Sequence, residues 1–138
     1  MLVVRLHKTF RERATEWVQS AMVTMWGMIL LLSPGTFTHP FYQPLAGMLS
    51  EPVWGWLSFI VGVASLVVLF INGAWRRTPA FRMVFSFVRV VIWAGLLMGA
   101  LTIGWQSPAI ATYAGLLGHE LICLYFASRD RSLTNSVR

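Results

Sequence analysis

The hydrophobic positions of this chain form four long apolar stretches, separated by shorter segments that carry nearly all of the charges. The clearest stretch covers residues 83–105, where Arg89 is the one charged residue. A helix needs about 20 apolar residues to cross a bilayer whose hydrocarbon core is about 30 Å thick. A soluble helix of that length would show a polar face, and this stretch has none. The pattern therefore predicts a transmembrane helix at 83–105.

The other apolar stretches predict further spans, so the expected fold class is an all-α integral membrane protein in one domain. The four predicted transmembrane helices cover residues 17–32, 53–71, 83–105 and 109–127. The first is the weakest, because it is short and contains Gln19, Ser20 and Thr24. A secretory signal peptide also has a basic start and an apolar middle. The sequence at 33–35 is a poor match to a cleavage site, however, and a retained span is favoured.

The segments between the spans give separate predictions. Residues 1–16 are typical of a basic amphipathic helix on an anionic membrane surface, or of a solvated basic tail that only sets orientation. Residues 33–52 contain four prolines and several aromatic residues. They predict an apolar exterior loop with a short helix at the membrane interface, or a partner-facing cap over the bundle. Residues 72–82 and 128–138 are expected to form a short loop and a polar tail.

Composition supports a membrane location and argues against a nucleic-acid partner. The chain is 57% hydrophobic and 12% charged, whereas soluble domains have about 25% charged residues. Its formal charge of +6 is spread over separate clusters rather than gathered in one patch. The partners expected are anionic lipid headgroups and either further copies of the chain or other transmembrane helices.

The positions of the basic residues predict the topology. Residues 33–52 and 106–108 contain no Lys or Arg. The other segments are basic, and their candidates for lipid-headgroup contacts are Arg5, Lys8, Arg11, Arg13, Arg76, Arg77, Arg82, Arg129 and Arg131. Because cytoplasmic loops are enriched in Lys and Arg, both termini and residues 72–82 are expected to be cytoplasmic in a bacterial inner membrane.

Arg89, His119 and Glu120 are polar residues placed within predicted spans. If the last two spans form a hairpin about Gln106 and Ser107, Glu120 lies about 6 Å along the helix axis from the level of Arg89. An ion pair between them is one expectation. The alternative is that Arg89 extends to the headgroups while Glu120 is protonated or meets a polar neighbour.

Two further patterns bear on this region. Arg82, Ser86, Arg89 and Trp93 share one face of the third span, which predicts either a wet crevice or the inward side of the bundle. His119 and Cys123 have the spacing of two metal ligands on a helix, but no third ligand lies within the spans. We therefore expect a structural pair, with no metal, no cofactor and no catalytic residues.

Small residues mark the expected helix-packing faces. They are Gly27 in the first span, Ser58 and Gly62 in the second, and Gly95, Gly99 and Gly104 in the third. Gly95 and Gly99 have the four-residue spacing that lets membrane helices approach closely. This spacing predicts tight packing, and it does not separate contacts within a chain from contacts between chains.

Two segments, RLHKTFRERATEW at 5–17 and INGAWRRTP at 71–79, resemble uncharacterised membrane proteins of tailed bacteriophages and prophages. The resemblance implies a small protein with several spans and no catalytic residues. It also implies one of two roles, namely a holin-like protein that oligomerises into a membrane lesion or a virion-associated protein delivered to the host envelope. Holins usually have one to three spans, so four spans depart from the commoner pattern.

Three classes of function follow. The leading hypothesis is a non-enzymatic, oligomerising membrane protein that forms or supports a passage through the inner membrane. The second is a structural subunit of a larger assembly without a pore. The third is a small carrier that uses Arg89 and Glu120. A carrier would be expected to show related half-repeats, which this sequence lacks, and a pore former needs more polar lumen residues than are evident.

Overall fold

The computed structural model describes residues 13–74 and 79–136, and within these ranges all regular structure is helical. The long helices are α1 (Ala14–Leu32), α3 (Glu51–Ala74), α4 (Pro79–Ile103) and α5 (Ala109–Ser136). Between α1 and α3 lie two 3₁₀ turns, Thr36–Thr38 and Pro40–Tyr42, and the short helix α2 (Gln43–Ala46). The all-α prediction is confirmed.

Three helices in the described part of the chain are long and apolar enough to cross a membrane. They are Glu51–Ile71, Ala80–Ile103 and Ala109–Arg129. The sequence analysis predicted four, and the first predicted span is the one that does not qualify. Its helix is present as α1, but Glu16, Gln19 and Ser20 in the first two turns lower its apolar character.

The helix bounds differ from the predicted spans mainly near the charged segments. α1 begins at Ala14, inside the predicted amphipathic segment 1–16, whose residues 1–12 lie outside the described part. α3 continues to Ala74 and α4 begins at Pro79, so both helices extend into the predicted loop 72–82. Proline suits the first turn of a helix, where its missing N–H has no intrahelical partner. α5 continues through the predicted tail because no glycine or proline interrupts residues 119–136.

The long helices form two antiparallel hairpins, α1 with α3 and α4 with α5. In the first hairpin the two backbones touch: a Cβ added at Gly62 would lie 2.6 Å from the backbone nitrogen of Thr24. A Cβ added at Gly27 would lie 2.8 Å from the carbonyl oxygen of Gly55. In the second hairpin Gly104, at φ 131°, ends α4 in a conformation that favours glycine. Gly104 therefore makes a turn rather than the helix-packing contact that was predicted.

Residues 36–46, here called the outer segment, fold against α4 instead of extending from the bundle. Phe37, Phe41 and Leu45 are buried in the same hydrophobic core as Ile92 and Leu96. A Cβ added at Gly95 would lie 2.9 Å from Leu45 Cγ, and one at Gly99 would lie 3.1 Å from the carbonyl carbon of Phe41. The Gly95 and Gly99 face therefore accommodates the outer segment rather than another long helix.

Glu51 and Trp54, both in the first turn of α3, hold the outer segment in place. The Glu51 carboxylate accepts hydrogen bonds from the backbone N–H of Thr36 at 3.1 Å and of Phe37 at 3.0 Å. Trp54 Nε1 donates to the carbonyl oxygen of Leu45 at 2.9 Å. Burial raises the pKa of Tyr42 above its ordinary value of 10.0, and the nearby Glu51 carboxylate raises it further, so the Tyr42 phenol is neutral at physiological pH.

We predict that Gly62→Ala lowers the free energy of unfolding by about 1–3 kcal/mol, the usual cost of overpacking a core. The added methyl group would press on the α1 backbone at Thr24. Gly115→Ala is the matched control, because a Cβ at Gly115 meets no atom within 4 Å. Thermal unfolding in detergent would measure both, and equal stabilities for the two variants would contradict the close α1–α3 contact.

Candidate functional site

Polar side chains from all four long helices meet between the two hairpins, at the end of the bundle where α1 begins. We call this group the polar seam. Its members, all buried, are Glu16 and Ser20 of α1, Ser65 of α3, Arg82, Ser86 and Arg89 of α4, and Glu120 of α5.

Arg89 is the centre of the polar seam. Its Nη1 donates hydrogen bonds to Ser20 Oγ at 3.2 Å and to Ser65 Oγ at 2.9 Å. Its Nη2 donates to Ser86 Oγ at 2.9 Å and also lies 2.9 Å from Glu120 Oε1. One guanidinium group therefore contacts a polar side chain from each of the four long helices. Five N–H donors in a rigid fork make arginine suited to such a position.

The structure brings Arg89 and Glu120 together, although not through a hydrogen bond. Glu120 is 0% exposed, and neither of its carboxylate oxygens has a hydrogen-bond partner. The Arg89 Nη2 atom approaches within 2.9 Å but outside the hydrogen-bonding directions, so the contact is electrostatic. A buried ion pair lacking further hydrogen bonds compensates its desolvation poorly. Glu120 is therefore the least well satisfied charge in the seam.

A second buried ion pair joins α1 to α4 and was not predicted. Arg82 Nε donates to Glu16 Oε2 at 3.0 Å, and its Nη2 donates to Glu16 Oε1, which gives a two-point contact. Such forked pairs have both geometric specificity and strength. Arg82 was predicted to contact headgroups and set topology, but it is 6% exposed and bound to Glu16.

A sequence signal for this pair exists in retrospect. Glu16 and Ser20 are four residues apart, and Arg82 is four and seven residues before Ser86 and Arg89. Each set therefore lies along one face of its helix. The sequence predicts the second set as one face of the third span, whereas Glu16 falls in the predicted terminal segment 1–16 rather than in a predicted span.

His119 does not join the Arg89–Glu120 contact. Gln19 Nε2 lies 3.3 Å from His119 Nδ1 and donates to the carbonyl oxygen of Leu116 at 3.3 Å, so His119 faces α1. Cys123 is buried and not in a disulfide. Within the described residues, no three His, Cys, Asp or Glu side chains are grouped as a metal ion would require.

A narrow crevice lies at the polar seam between α1, α3 and α4. Its lining residues are Glu16, Ser20, Ser65, Val68, Leu69, Arg82, Phe85 and Arg89. The space open to the centre of a water molecule is about 10 Å³, enough for about one water. This volume would fit about one water beside the Arg89 guanidinium and is far too small for a solute.

The remaining predicted residues divide between packing positions and the undescribed parts of the chain. Gly27 and Gly62 are buried between α1 and α3, and Ser58 of α3 is also buried. Outside the described residues lie Arg5, Lys8, Arg11, Arg76 and Arg77, as does the side chain of Arg131. Arg13 and Arg129 lie within the described part and have interaction partners.

No family model, curated protein or solved structure matches this chain. The polar seam and the exposed surfaces of the helices are therefore the basis for inferring what the protein does. The resemblance to phage membrane proteins stays a prediction.

We predict that Arg89→Leu destabilises the fold more than Glu120→Leu does. Loss of Arg89 leaves Glu120 buried with no partner, whereas loss of Glu120 leaves Arg89 with three serine hydroxyls. Removing one member of a buried pair typically costs about 3–5 kcal/mol, while replacing both by apolar groups can be nearly neutral. The double variant should therefore recover part of the loss in folded yield and melting temperature. Additive losses in the double variant would show that the two charges do not stabilise one another.

Proposed function

We propose that the protein is a non-enzymatic integral membrane protein in which α1 crosses the bilayer beside α3, α4 and α5. Three polar residues of α1, Glu16, Gln19 and Ser20, are buried inside the protein, whereas Thr15 in its first turn is exposed. The exposed large residues of α1 are all apolar, namely Val18, Met25, Met28, Ile29 and Leu32. Mean hydropathy averages over the buried and the exposed faces of a helix. It therefore underestimates how apolar the exposed face of α1 is. With 19 residues, α1 is about 28 Å long, close to the thickness of the hydrocarbon core.

We further propose that both termini and the α3–α4 connection face the cytoplasm of a bacterial cell. The support is the distribution of basic residues, which are absent from 33–52 and 106–108. In this orientation the polar seam lies in the cytoplasmic half of the membrane, and the outer segment faces the periplasm.

Cysteine labelling tests this placement in a Cys123→Ala background. We expect Arg77→Cys and Leu133→Cys to react with a membrane-impermeant maleimide from the cytoplasmic side alone. Gln106→Cys, in the α4–α5 turn, should react from the periplasmic side alone. Labelling of residue 77 and residue 106 from the same side would contradict the proposed arrangement.

The subunits of this protein are proposed to associate through α5. The observation that carries this proposal is how little of α5 is covered: 11% of its apolar stretch is buried, against 39% for α3 and 44% for α4. Along this helix Gly115 and Gly118 have no atom within 4 Å of an added Cβ. An exposed face with small residues lets another transmembrane helix approach closely.

Any passage would lie between subunits rather than within one chain. In the part of the chain that the structure describes, the polar seam occupies one end of the bundle interior and the apolar core the other, and the crevice at the seam holds about one water. Such an assembly would suit a holin-like or a virion-delivered protein, and both roles stay predictions. The second candidate is a structural subunit of an assembly without a pore. The exposed face of α5 could bind the other subunits of such an assembly in the same way.

We expect Gly115→Leu with Gly118→Leu to reduce the oligomer size without unfolding the monomer, because both positions are open in the single chain. Val84→Leu, which adds bulk to an exposed position of α4, is the matched control. Chemical cross-linking in lipid nanodiscs would measure the oligomer. An unchanged oligomer in the double glycine variant would contradict association through α5.

Release of a trapped dye from vesicles separates the two candidates. Leakage that the wild type causes and the double glycine variant does not would support a passage between subunits. An oligomer that causes no leakage would favour the structural subunit.

A further inference from the structure

One hydrogen-bond donor of the Arg89 guanidinium has no acceptor among the described residues. Its two Nη atoms are engaged with three serine hydroxyls and with the Glu120 carboxylate, whereas its Nε–H group is buried and unpaired. A buried polar group without a partner is costly, and folded proteins usually satisfy it with a protein group or with bound water. The Arg89 Nε–H group is therefore expected to bind an acceptor that the described residues do not provide.

The crevice at the polar seam is the place where such an acceptor can bind, because Arg89 is one of its lining residues. Since both Nη atoms of Arg89 are engaged elsewhere, the Nε–H group is the donor that this residue has left for a molecule in the crevice. The space open to the centre of a water molecule is about 10 Å³, which is close to the volume that one water needs. The size of the crevice therefore restricts its ligand to a single molecule as small as water.

The other polar groups that line the crevice can accept hydrogen bonds. Ser20 Oγ donates its hydrogen to the backbone carbonyl of Glu16 at 2.7 Å, and Ser65 Oγ donates to that of Val61 at 2.6 Å. Each hydroxyl group therefore has only acceptor capacity left. Each carboxylate oxygen of Glu16 accepts one hydrogen bond and keeps a further lone pair. The lining thus combines the free Nε–H donor with several acceptors, which suits a ligand that both accepts and donates hydrogen bonds.

The charges of the polar seam favour a neutral ligand over an ion. The described seam contains two arginines and two glutamates, whose formal charges balance. A bound ion would add a charge without a counter-ion at a buried site, and such a charge is costly. Water is neutral, and a buried water typically makes about three hydrogen bonds, as donor and as acceptor. Water therefore matches the size, the charge balance and the hydrogen-bonding groups of the crevice.

We propose that the crevice is a binding site for one water molecule that links the two ion pairs of the polar seam. The water accepts a hydrogen bond from Arg89 Nε, donates one to the Glu16 carboxylate, and donates the other to the hydroxyl group of Ser20 or Ser65. Through this water the two ion pairs form one polar network. The site belongs to the single folded chain, so it requires neither association through α5 nor a particular orientation in the membrane.

Proton-detected solid-state NMR of the protein in bilayers, with ¹⁵N-labelled arginine and tryptophan, tests the proposal. At short mixing times the Arg89 Nε–H signal should show a cross-peak to water, and Arg89→Lys assigns the signal by removing it. The matched control is Trp54 Nε1–H, because Trp54 is also 2% exposed but donates to the carbonyl of Leu45 and does not line the crevice. It should show no water cross-peak. Absence of the Arg89 cross-peak, or equal cross-peaks at both groups, would overturn the proposal.

Filling the crevice tests whether this water binds there. Val68→Ile adds a methyl group, which is about as large as a water molecule, to a residue that lines the crevice. Val67→Ile is the matched control, because it adds the same group at a neighbouring position that is 50% exposed and does not line the crevice. The Arg89 cross-peak should disappear in Val68→Ile and remain in Val67→Ile, while an unshifted Trp54 indole signal shows that both variants are folded. Survival of the cross-peak in Val68→Ile, or its loss in both variants, would show that the crevice is not the binding site.

Discussion

A single buried guanidinium constrains the arrangement of every long helix in the described part of this protein. Arg89 is 2% exposed, and its partners are Ser20, Ser65, Ser86 and Glu120, one from each of the four long helices. A charge at this depth in a membrane cannot be left facing lipid. Each helix must therefore take the rotation and axial position that presents its polar group to Arg89. The Glu16–Arg82 pair adds a second link between the hairpins near the same end.

The two ends of the bundle are held together in different ways. At the end containing the seam, charges and hydroxyl groups join the hairpins. At the other end, Phe41 and Leu45 of the outer segment pack against the face of α4 that contains Gly95 and Gly99. The Glu51 carboxylate holds the outer segment by accepting hydrogen bonds from two of the segment's backbone N–H groups. The first end is polar, and the second is apolar.

Much of this arrangement could be predicted from the sequence, and the misses have physical causes. Counting residues from the Gln106 turn places Arg89 and Glu120 at similar depth, and their contact needs only the antiparallel hairpin that the turn imposes. The Glu16–Arg82 pair was missed because it joins helices distant in the sequence, for which no short turn fixes the relative height. Mean hydropathy averages over the whole surface of α1 and cannot show that Glu16, Gln19 and Ser20 share one buried face.

The packing partner of the face that contains Gly95 and Gly99 could not be predicted from the sequence either. The spacing of Gly95 and Gly99 predicts close approach of another backbone but not which one, and the outer segment rather than a long helix fills the space. The hydrogen bonds from Arg89 to the hydroxyl groups of Ser20 and Ser65 were not predicted either. Their function as acceptors for Arg89 depends on helix rotations that only the folded chain defines.

Solid-state NMR in bilayers tests most directly whether Arg89 is held inside the bundle. With ¹⁵N-labelled arginine and ¹³C-labelled glutamate, the Arg89 guanidinium should show strong dipolar coupling to the Glu120 carboxyl carbon, as expected from an N–O distance of 2.9 Å. Arg89→Lys would assign the signal by removing it while leaving the Arg82–Glu16 coupling in place. Coupling of the Arg89 guanidinium to lipid ³¹P, with none to Glu120, would instead show that Arg89 extends to the headgroups and would contradict the proposed organisation of the bundle.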